Sequence, residues 1–320
     1  MVKVISDYAE KRLLIGTGKY LFNCEHDWLC IPPDIMVGNT HAIDQDSQGR
    51  LYIFHTVHPA SPCRNAVIVT DAEGIYLDSW GEEFAGGAHG LMVHRDAAGD
   101  EWAFLSDIHR GVVVKATLSG ETQLVITAPM ASGIYASHEQ FRPTATAVGP
   151  DERIYVADGY GRSYIHIFSP DGEWLDCFGG EGEVEGCLSC PHAIRVDDHD
   201  NQPRLLVVDR GNARIQSFSL EGESLGCIHG DLRKPSDVIS YRGGLLVADL
   251  EAKLTVIDAK DRMAVHLGDG GSFNSLRELP RDRFLEGQFI APHCVMKDAA
   301  ERILVAEWVP LGRLTRLTPI

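Results

Sequence analysis

The feature that most constrains the fold of this chain is an internal repeat of roughly fifty residues. Each unit begins with a short apolar strand, which is followed by a polar turn and a second strand. The first strands are predicted at 40–44, 88–93, 143–148, 191–196, 235–240 and 292–297. The second strands are predicted at 51–55, 102–107, 154–158, 205–209, 245–249 and 303–307. These segments are rich in Val, Ile, Leu and Tyr and are bounded by Gly, Asp, Asn and Pro, which is typical of β-strands.

A third strand and, in most units, a fourth strand complete the repeat. Six such units predict an all-β protein, a six-bladed β-propeller that forms one domain over residues 1–320. The blades are predicted at 38–81, 86–128, 141–180, 190–230, 234–268 and 289–320. The sixth unit ends after three strands, so we expect residues 11–22 to supply its fourth strand and to close the ring. A solenoid of the same repeats is the alternative, and it would leave two open ends.

The charge of the chain restricts its partners. Acidic residues outnumber basic ones by 46 to 29, which gives a net charge of −17, whereas nucleic acids and anionic membranes bind basic surfaces. No apolar run reaches the ~18 residues of a membrane span. The first residues include Asp7, Glu10, Lys11 and Arg12, where a signal peptide needs an apolar stretch. We therefore expect a cytoplasmic protein with reduced cysteines and with no nucleic acid or membrane as partner.

Histidines recur at one position of the repeat. Alignment of the units places six residues at the start of the first strands, where a propeller has the mouth of its central channel: His41, His89, Thr144, His192, Ser236 and His293. His89, His192 and His293 come from alternate units and are separated by 103 and 101 residues. Alternate blades lie about 120° apart, so three imidazoles would converge on one point. Three histidines with an open fourth position form a catalytic zinc site, and iron, cobalt or manganese would fit almost as well.

A plainer interpretation of these histidines is also available. An isolated buried histidine usually fills space or satisfies loop hydrogen bonds, and three at alternate units favour a metal over that role. His41 breaks the threefold pattern. It is a candidate for a fourth ligand, a base, a group that supports the ligands, or simple packing.

Acidic residues recur where the second strands end. This register consists of His55, Asp107, Asp158, Asp209, Asp249 and Glu307. The simplest interpretation is structural, because a carboxylate at a strand end accepts hydrogen bonds from backbone N–H groups of the next turn. The residues that follow the acids vary more, and functional side chains are expected there. The candidates are Tyr160, Arg210 and His109.

The stretch 141–218 carries a family resemblance. It contains FRPTATAV, IYVADGYGRSYIHIF, CPHAIRV and LLVVDRGNARIQSF in that order. Together with AHGL at 88–91 and APH at 291–293, it resembles NHL-repeat propellers, and most closely the peptidyl-α-hydroxyglycine α-amidating lyases. The resemblance implies zinc on the three alternate histidines, a base or proton carrier at Tyr160 and a substrate-orienting cation at Arg210. The implied chemistry is C–N cleavage of a carbinolamide whose hydroxyl is held by the metal.

The sequence departs from the family at two places. The family has an arginine after a Phe-His pair of the first unit, where this chain has Thr56 after Phe54 and His55. The family's final Pro-His lies between Met and an Asp that helps hold a structural calcium. Here Ala291 and Cys294 occupy those positions, so the resemblance does not extend to a structural calcium. We expect a relative that acts on a different substrate.

The leading hypothesis is a metal-dependent lyase, with zinc as the first choice, that acts on a small hydroxylated substrate at the channel mouth. Its candidate catalytic residues are Tyr160, Arg210, His41 and His109. One alternative is a lactone or ester hydrolase, although such propellers build their sites from carboxylates and Asn around calcium. Another alternative is a non-catalytic NHL binding module.

The pair Cys187 and Cys190 has the spacing of a redox or metal-binding motif. It lacks the βαβ context of a redox protein and a second cysteine pair. We interpret it as two loop cysteines that directly precede Pro191 and His192.

Overall fold

The computed structural model describes residues 12–198, 202–271 and 277–320. In these residues 25 strands form six antiparallel sheets, and the first strands of successive sheets contact one another around a central channel. The predicted six-bladed β-propeller is confirmed. No helix in the described ranges has both the length and the apolar character needed to cross a membrane.

The strands follow the repeat. The chain enters through β1 (Leu14–Thr17) and β2 (Tyr20–His26). Blade one contains β3 (Thr40–Gln45), β4 (Leu51–His55), β5 (Val67–Thr70) and β6 (Tyr76–Trp80). Blade two contains β7 (Ala88–Arg95), β8 (Glu101–Asp107), β9 (Val112–Thr117) and β10 (Thr122–Ile126). Blade three contains β11 (Ala145–Val148), β12 (Ile154–Ala157), β13 (Tyr164–Phe168) and β14 (Trp174–Gly179).

The second half repeats this order. Blade four contains β15 (Pro191–Asp197), β16 (Arg204–Asp209), β17 (Arg214–Phe218) and β18 (Ser224–Ile228). Blade five contains β19 (Pro235–Tyr241), β20 (Gly244–Asp249), β21 (Lys253–Ile257) and β22 (Met263–Leu267). Blade six contains β23 (Pro292–Lys297), β24 (Ile303–Glu307) and β25 (Arg313–Pro319). Short 3₁₀ helices occur at Glu82–Phe84, Met130–Ser132, His138–Gln140, Arg210–Asn212 and Arg281–Arg283.

The N-terminal segment closes the ring, as predicted, but it does so with two strands. Strand β2 pairs with β25, and β1 pairs with β2, so the sixth sheet has five strands. The prediction of one strand at 11–22 was therefore short, and residue 11 lies outside the described residues. Alternate side chains of β2 explain its place, because Tyr20, Phe22 and Cys24 are buried between blades five and six.

Packing between consecutive blades forms the core. Strands β4, β12 and β24 are buried at every residue. Leu246 of β20 and Val305 of β24 belong to one apolar cluster that joins blades five and six. Such clusters lie between neighbouring blades, so they fix the ring and hold its first strands in position around the channel.

A β-bulge marks the start of the first strand in five of the six blades. In β15, for example, Pro191 pairs with Asp209 and Ala193 pairs with Val208, so His192 is an extra residue without a cross-strand partner. The same register shift occurs in β3, β7, β19 and β23. A bulge re-aims the side chain of its extra residue, and in these five blades it places one residue at the channel.

Candidate active site at the channel mouth

The five bulged residues and Thr144, which precedes β11, form a buried ring, which we call the mouth ring. Its members are the six residues that share the start of the repeat: His41, His89, Thr144, His192, Ser236 and His293. All are at most 5% exposed. The alignment of the sequence repeats predicted this grouping, and the structure brings the four histidines together.

The three alternate histidines have the same hydrogen bond. Nδ1 of His89, His192 and His293 each lies 2.7 Å from a backbone carbonyl oxygen of the next blade. The acceptors are the carbonyls of the other three ring members, Thr144, Ser236 and His41. A carbonyl only accepts, so each Nδ1 carries the proton and each Nε2 keeps a lone pair. This is the arrangement that orients a histidine for metal binding.

The three rings are related by nearly perfect threefold symmetry. Ring centroids of His89, His192 and His293 are 4.8, 4.8 and 4.7 Å apart, and the ring planes meet at 70–71°. Three imidazoles on one zinc, at about 2.0–2.1 Å, would place their centroids roughly 5 Å apart. Nε2 of His192 is buried and has no hydrogen-bond partner among the described residues. The donor set therefore fits a metal ion.

The protonation of these histidines suits the same role. Burial lowers the pKa of His89 to about 3 and holds the pKa of His192 and His293 well below the usual value, and nearby positive charges add to the effect. The rings are thus neutral near pH 7, which is the form that binds metals.

His41 extends the cluster to four rings. Its centroid is 5.1 Å from that of His89 and 4.6 Å from that of His293. Donor atoms of His41, His89 and His293 all lie within 4.8 Å of one another, so this triad could also hold a metal. Neither ring nitrogen of His41 has a hydrogen-bond partner in the described chain. His41 thus lacks the carbonyl contact that orients the other three histidines.

Tyr160 and Arg210 lie against the histidines. The Tyr160 hydroxyl is 3.1 Å from Nε2 of His89 and accepts a hydrogen bond of 3.2 Å from Arg210. Burial raises the pKa of Tyr160 above its usual value, and the Arg210 guanidinium only partly offsets this. The Arg210 guanidinium thus favours the phenolate, but burial has the larger effect on the pKa of Tyr160.

The CxxC loop supports Arg210. Nη2 of Arg210 donates to Sγ of Cys190 at 3.0 Å. Cys187 and Cys190 are both free thiols. Cys190 has a φ of 54°, which is rare for a residue other than glycine. The loop therefore places the Cys190 sulfur beside the Arg210 guanidinium, and that sulfur forms no disulfide.

His109 lies apart from the other candidates. It is exposed and lines a separate surface pocket with Arg110, His138 and Arg142. Its backbone N–H, and not its ring, bonds to Asp107 at 2.9 Å. A catalytic role for His109 stays a prediction.

The strand-end register has the structural role that was predicted as the simpler interpretation. Asp158 accepts from the backbone N–H of Arg142 and Arg162, and Glu307 accepts from that of Ile290. The same contact is made by Asp107, Asp209 and Asp249. Even His55 follows the pattern, since its Nδ1 accepts from Gly38 and Val57. In five blades these contacts hold the loops that enter the first strands, and in blade two Asp107 holds the turn that follows β8.

Sequence reasoning missed two arginines. Arg277 belongs to the long connection between blades five and six, and its guanidinium stacks on Trp308, 3.8 Å from the ring centroid. Arg195 lies in the channel and binds the carboxylate of Asp237 on the neighbouring blade at 2.7 Å. Two features of the sequence could have indicated Arg277. One is the length of the connection between blades five and six, and the other is the variable position after Glu307, which Trp308 occupies. No repeat position marked Arg195.

Comparison with known proteins finds enzymes among the homologues of this chain. The chain is 31% identical over 167 residues to mouse peptidyl-glycine alpha-amidating monooxygenase, a match that covers 50% of this chain and 16% of that protein. It is 28% identical over 164 residues to Drosophila melanogaster peptidyl-alpha-hydroxyglycine alpha-amidating lyase 2, covering 51% and 39%. A human NHL repeat-containing protein 3 matches at 26% over 258 residues, covering 76% and 71%. The chain thus spans a minor part of the amidating enzymes that it matches. No family model matches it.

Solved structures share the fold. A gluconolactonase from Xanthomonas campestris superposes with a TM-score of 0.63 at 16% identity, covering 90% of this chain and 88% of that one. A virginiamycin B lyase from Staphylococcus aureus gives 0.61 at 14% identity, covering 93% and 100%. At such identities the likeness shows the fold alone. The resemblance inferred from the sequence is confirmed: the chain is a six-bladed β-propeller whose homologues include peptidyl-α-hydroxyglycine amidating lyases and an NHL-repeat protein.

Proposed function

We propose that this protein is a metal-dependent lyase, with zinc as the metal, that cleaves a small hydroxylated substrate at the mouth ring. The observation that carries the proposal is the set of three equivalent histidines, each with Nδ1 fixed on a carbonyl at 2.7 Å. Amidating lyases among the homologues support the reaction class.

His89, His192 and His293 would hold the metal. The triad that replaces His192 with His41 shares two of these ligands, but His41 has no acceptor for its second ring nitrogen in the described chain. Metal-binding histidines usually donate that second N–H to a carbonyl or carboxylate. The hydrogen bonds therefore favour His192 over His41 as the third ligand.

A bound zinc would act as a Lewis acid toward the substrate hydroxyl oxygen. Cleavage of a carbinolamide breaks its C–N bond, moves the hydroxyl proton to the leaving nitrogen and leaves a carbonyl product. Tyr160 would carry that proton, since its hydroxyl lies between His89 and Arg210. Arg210 would orient the substrate from the same side. The buried ring would limit the access of water to the reacting atoms.

Metal content tests the proposal directly. The purified protein should contain about one zinc per chain, and the His89→Ala, His192→Ala and His293→Ala triple variant should contain none. His94→Ala, which changes a histidine paired with Glu152 away from the ring, should keep its metal. Elemental analysis with circular dichroism separates lost metal from lost fold. Retention of metal by the folded triple variant would refute the assignment.

Activity tests the reaction class. The zinc-loaded protein should convert small N-acyl carbinolamides to an amide and a carbonyl product, and Tyr160→Phe should lower kcat by roughly 10²–10⁴-fold. Hydrolysis of lactones that survives the loss of all three histidines would favour the hydrolase alternative.

A further inference from the structure

His41 is a buried polar group that the proposed chemistry does not use. It is 5% exposed, and both of its ring nitrogens lack a partner in the described residues. A buried polar group normally has a hydrogen-bond partner, so these two nitrogens indicate a ligand that binds here in the functioning protein. The group lies between His89 and His293, at the edge of the mouth ring nearest Trp308.

Trp308 connects His41 to a cation. The His41 and Trp308 ring centroids are 6.5 Å apart. On that indole lies the Arg277 guanidinium, which also donates to the Trp308 carbonyl at 3.1 Å and to Oδ1 of Asn39 at 2.8 Å. The side chain of Arg277 is 18% exposed, so it is ordered by protein contacts but still accessible. A stacked and anchored guanidinium loses little entropy when it binds a further ligand.

The charges around the mouth ring favour an anion. The charged groups that act on its histidines are Arg142, Arg210 and Arg277. The strand-end carboxylates are engaged by backbone N–H groups. Glu278 binds Arg277 at 2.8 Å, but its side chain is 74% exposed and in contact with solvent. Three arginines thus lie close to the mouth ring of a protein whose net charge is −17, and such a local cluster of cations attracts anions.

We propose that His41, Trp308 and Arg277 form a subsite for the carboxylate-bearing end of a small hydroxylated acid. The Arg277 guanidinium would bind the carboxylate, and the indole would hold the guanidinium in place. Neutral imidazole has one donor and one acceptor nitrogen, so His41 would pair with an oxyanion on one side and with a hydroxyl on the other. The subsite lies across the ring from Tyr160 and Arg210. Arg277 would therefore be a specificity-determining residue, and its assignment rests on the proposed function for the site as a whole.

Matched ligands test the subsite. Titration calorimetry would compare 2-hydroxypropanoate with 2-hydroxypropanamide, which differ in the carboxylate alone, on zinc-loaded protein. The acid should bind more tightly than the amide, and Arg277→Met should lower that preference about tenfold, because a charge-assisted pair is lost. Arg277→Lys should keep part of it. Arg283→Met, on the same connection and exposed, is the matched control and should change nothing.

The outcomes separate the subsite from the lyase proposal. An unchanged acid-to-amide ratio in folded, zinc-loaded Arg277→Met overturns the subsite and leaves the lyase standing. Loss of zinc in that variant also overturns it, because Arg277 would then support the metal site. If the wild-type protein takes up no zinc, the lyase fails, and the same ratio measured on metal-free protein still decides the subsite. His41→Phe should lower the affinity for both ligands while zinc content stays at about one.

Discussion

Removal of the Arg195 guanidinium should destabilise the propeller more than the loss of an exposed charge. Arg195 on β15 donates to both carboxylate oxygens of Asp237 on β19, at 3.1 and 2.7 Å. Asp237 is 3% exposed and also accepts from the backbone N–H of Val295 on β23. Burial alone would lower the pKa of Arg195, but Asp237, together with Cys294 and Asp44, more than offsets this and raises it. The pair joins blades four, five and six inside the channel.

The expected loss in the free energy of unfolding follows from the burial of the Arg195–Asp237 pair and from the number of its hydrogen bonds. Removal of one member of a buried ion pair costs roughly 3–5 kcal/mol. The Arg195 side chain is 25% exposed, so Arg195→Met should cost about 3 kcal/mol, near the lower end of that range. Asp237→Asn keeps an acceptor oxygen and should cost about 2 kcal/mol. The double variant should cost about 1.5 kcal/mol less than the two single costs added together, since neither charge of the pair is left without the other.

Urea titrations of wild type, the two single variants and the double variant, followed by tryptophan fluorescence, measure these free-energy differences. They follow from the unfolding midpoints if the dependence of the unfolding free energy on urea is the same for all four proteins. Arg50→Met is the control, because Arg50 pairs with Asp46 from a side chain that is 37% exposed and should cost less than about 1 kcal/mol. A loss under about 1 kcal/mol for Arg195→Met, or a coupling energy under about 0.5 kcal/mol, would refute the reasoning.

Three further perturbations have defined outcomes. Burial lowers the pKa of His166 from 6.5 to about 4, so the unfolded chain binds more protons between these values and stability falls as pH decreases; the stability advantage of wild type over His166→Phe should shrink by about 2 kcal/mol between pH 7 and 4.5 in urea titrations. Tyr135→Phe removes the hydroxyl that bonds Asp158 at 2.6 Å and His166 at 2.7 Å and should cost about 1–3 kcal/mol, while Tyr76→Phe, at the half-exposed β6, should cost under about 0.5 kcal/mol. A chelator should lower the thermal midpoint of wild type and leave that of His192→Ala unchanged, because metal stabilises only the folded form that binds it.

The fold could be predicted because its information is local and repeated. Each second strand is a short apolar run, as at Leu51–His55 and Ile303–Glu307, and each ends in a turn that the sequence marks. The closure of the ring by two N-terminal strands was harder to predict from the sequence. Strand β1 is mostly exposed, with Ile15 as its buried residue, so its sequence carries little of the alternation that identified the other strands.

The site was predictable as far as the repeat determined it. Equivalent positions in a closed ring must face one channel, so the spacing of His89, His192 and His293 sufficed to group them. The hydrogen bonds of their Nδ1 atoms use backbone carbonyls, which every residue has, and no sequence pattern marks such acceptors. Arg277 reaches the mouth from an irregular connection between two blades. Its position depends on Trp308 and Asn39, which are distant in sequence.

The β-bulge at the start of five of the six first strands separates two properties that usually change together in a sheet. The extra residue has no cross-strand partner, so its side chain can be exchanged without altering the register of the strand behind it. Thr144 and Ser236 already occupy the position that histidines fill in the other blades, and both keep the carbonyl contact to their neighbour. The mouth ring therefore consists of six equivalent positions whose side chains can differ while the strands behind them stay in place. A lineage could change the donor set of such a site one blade at a time while the propeller remains folded.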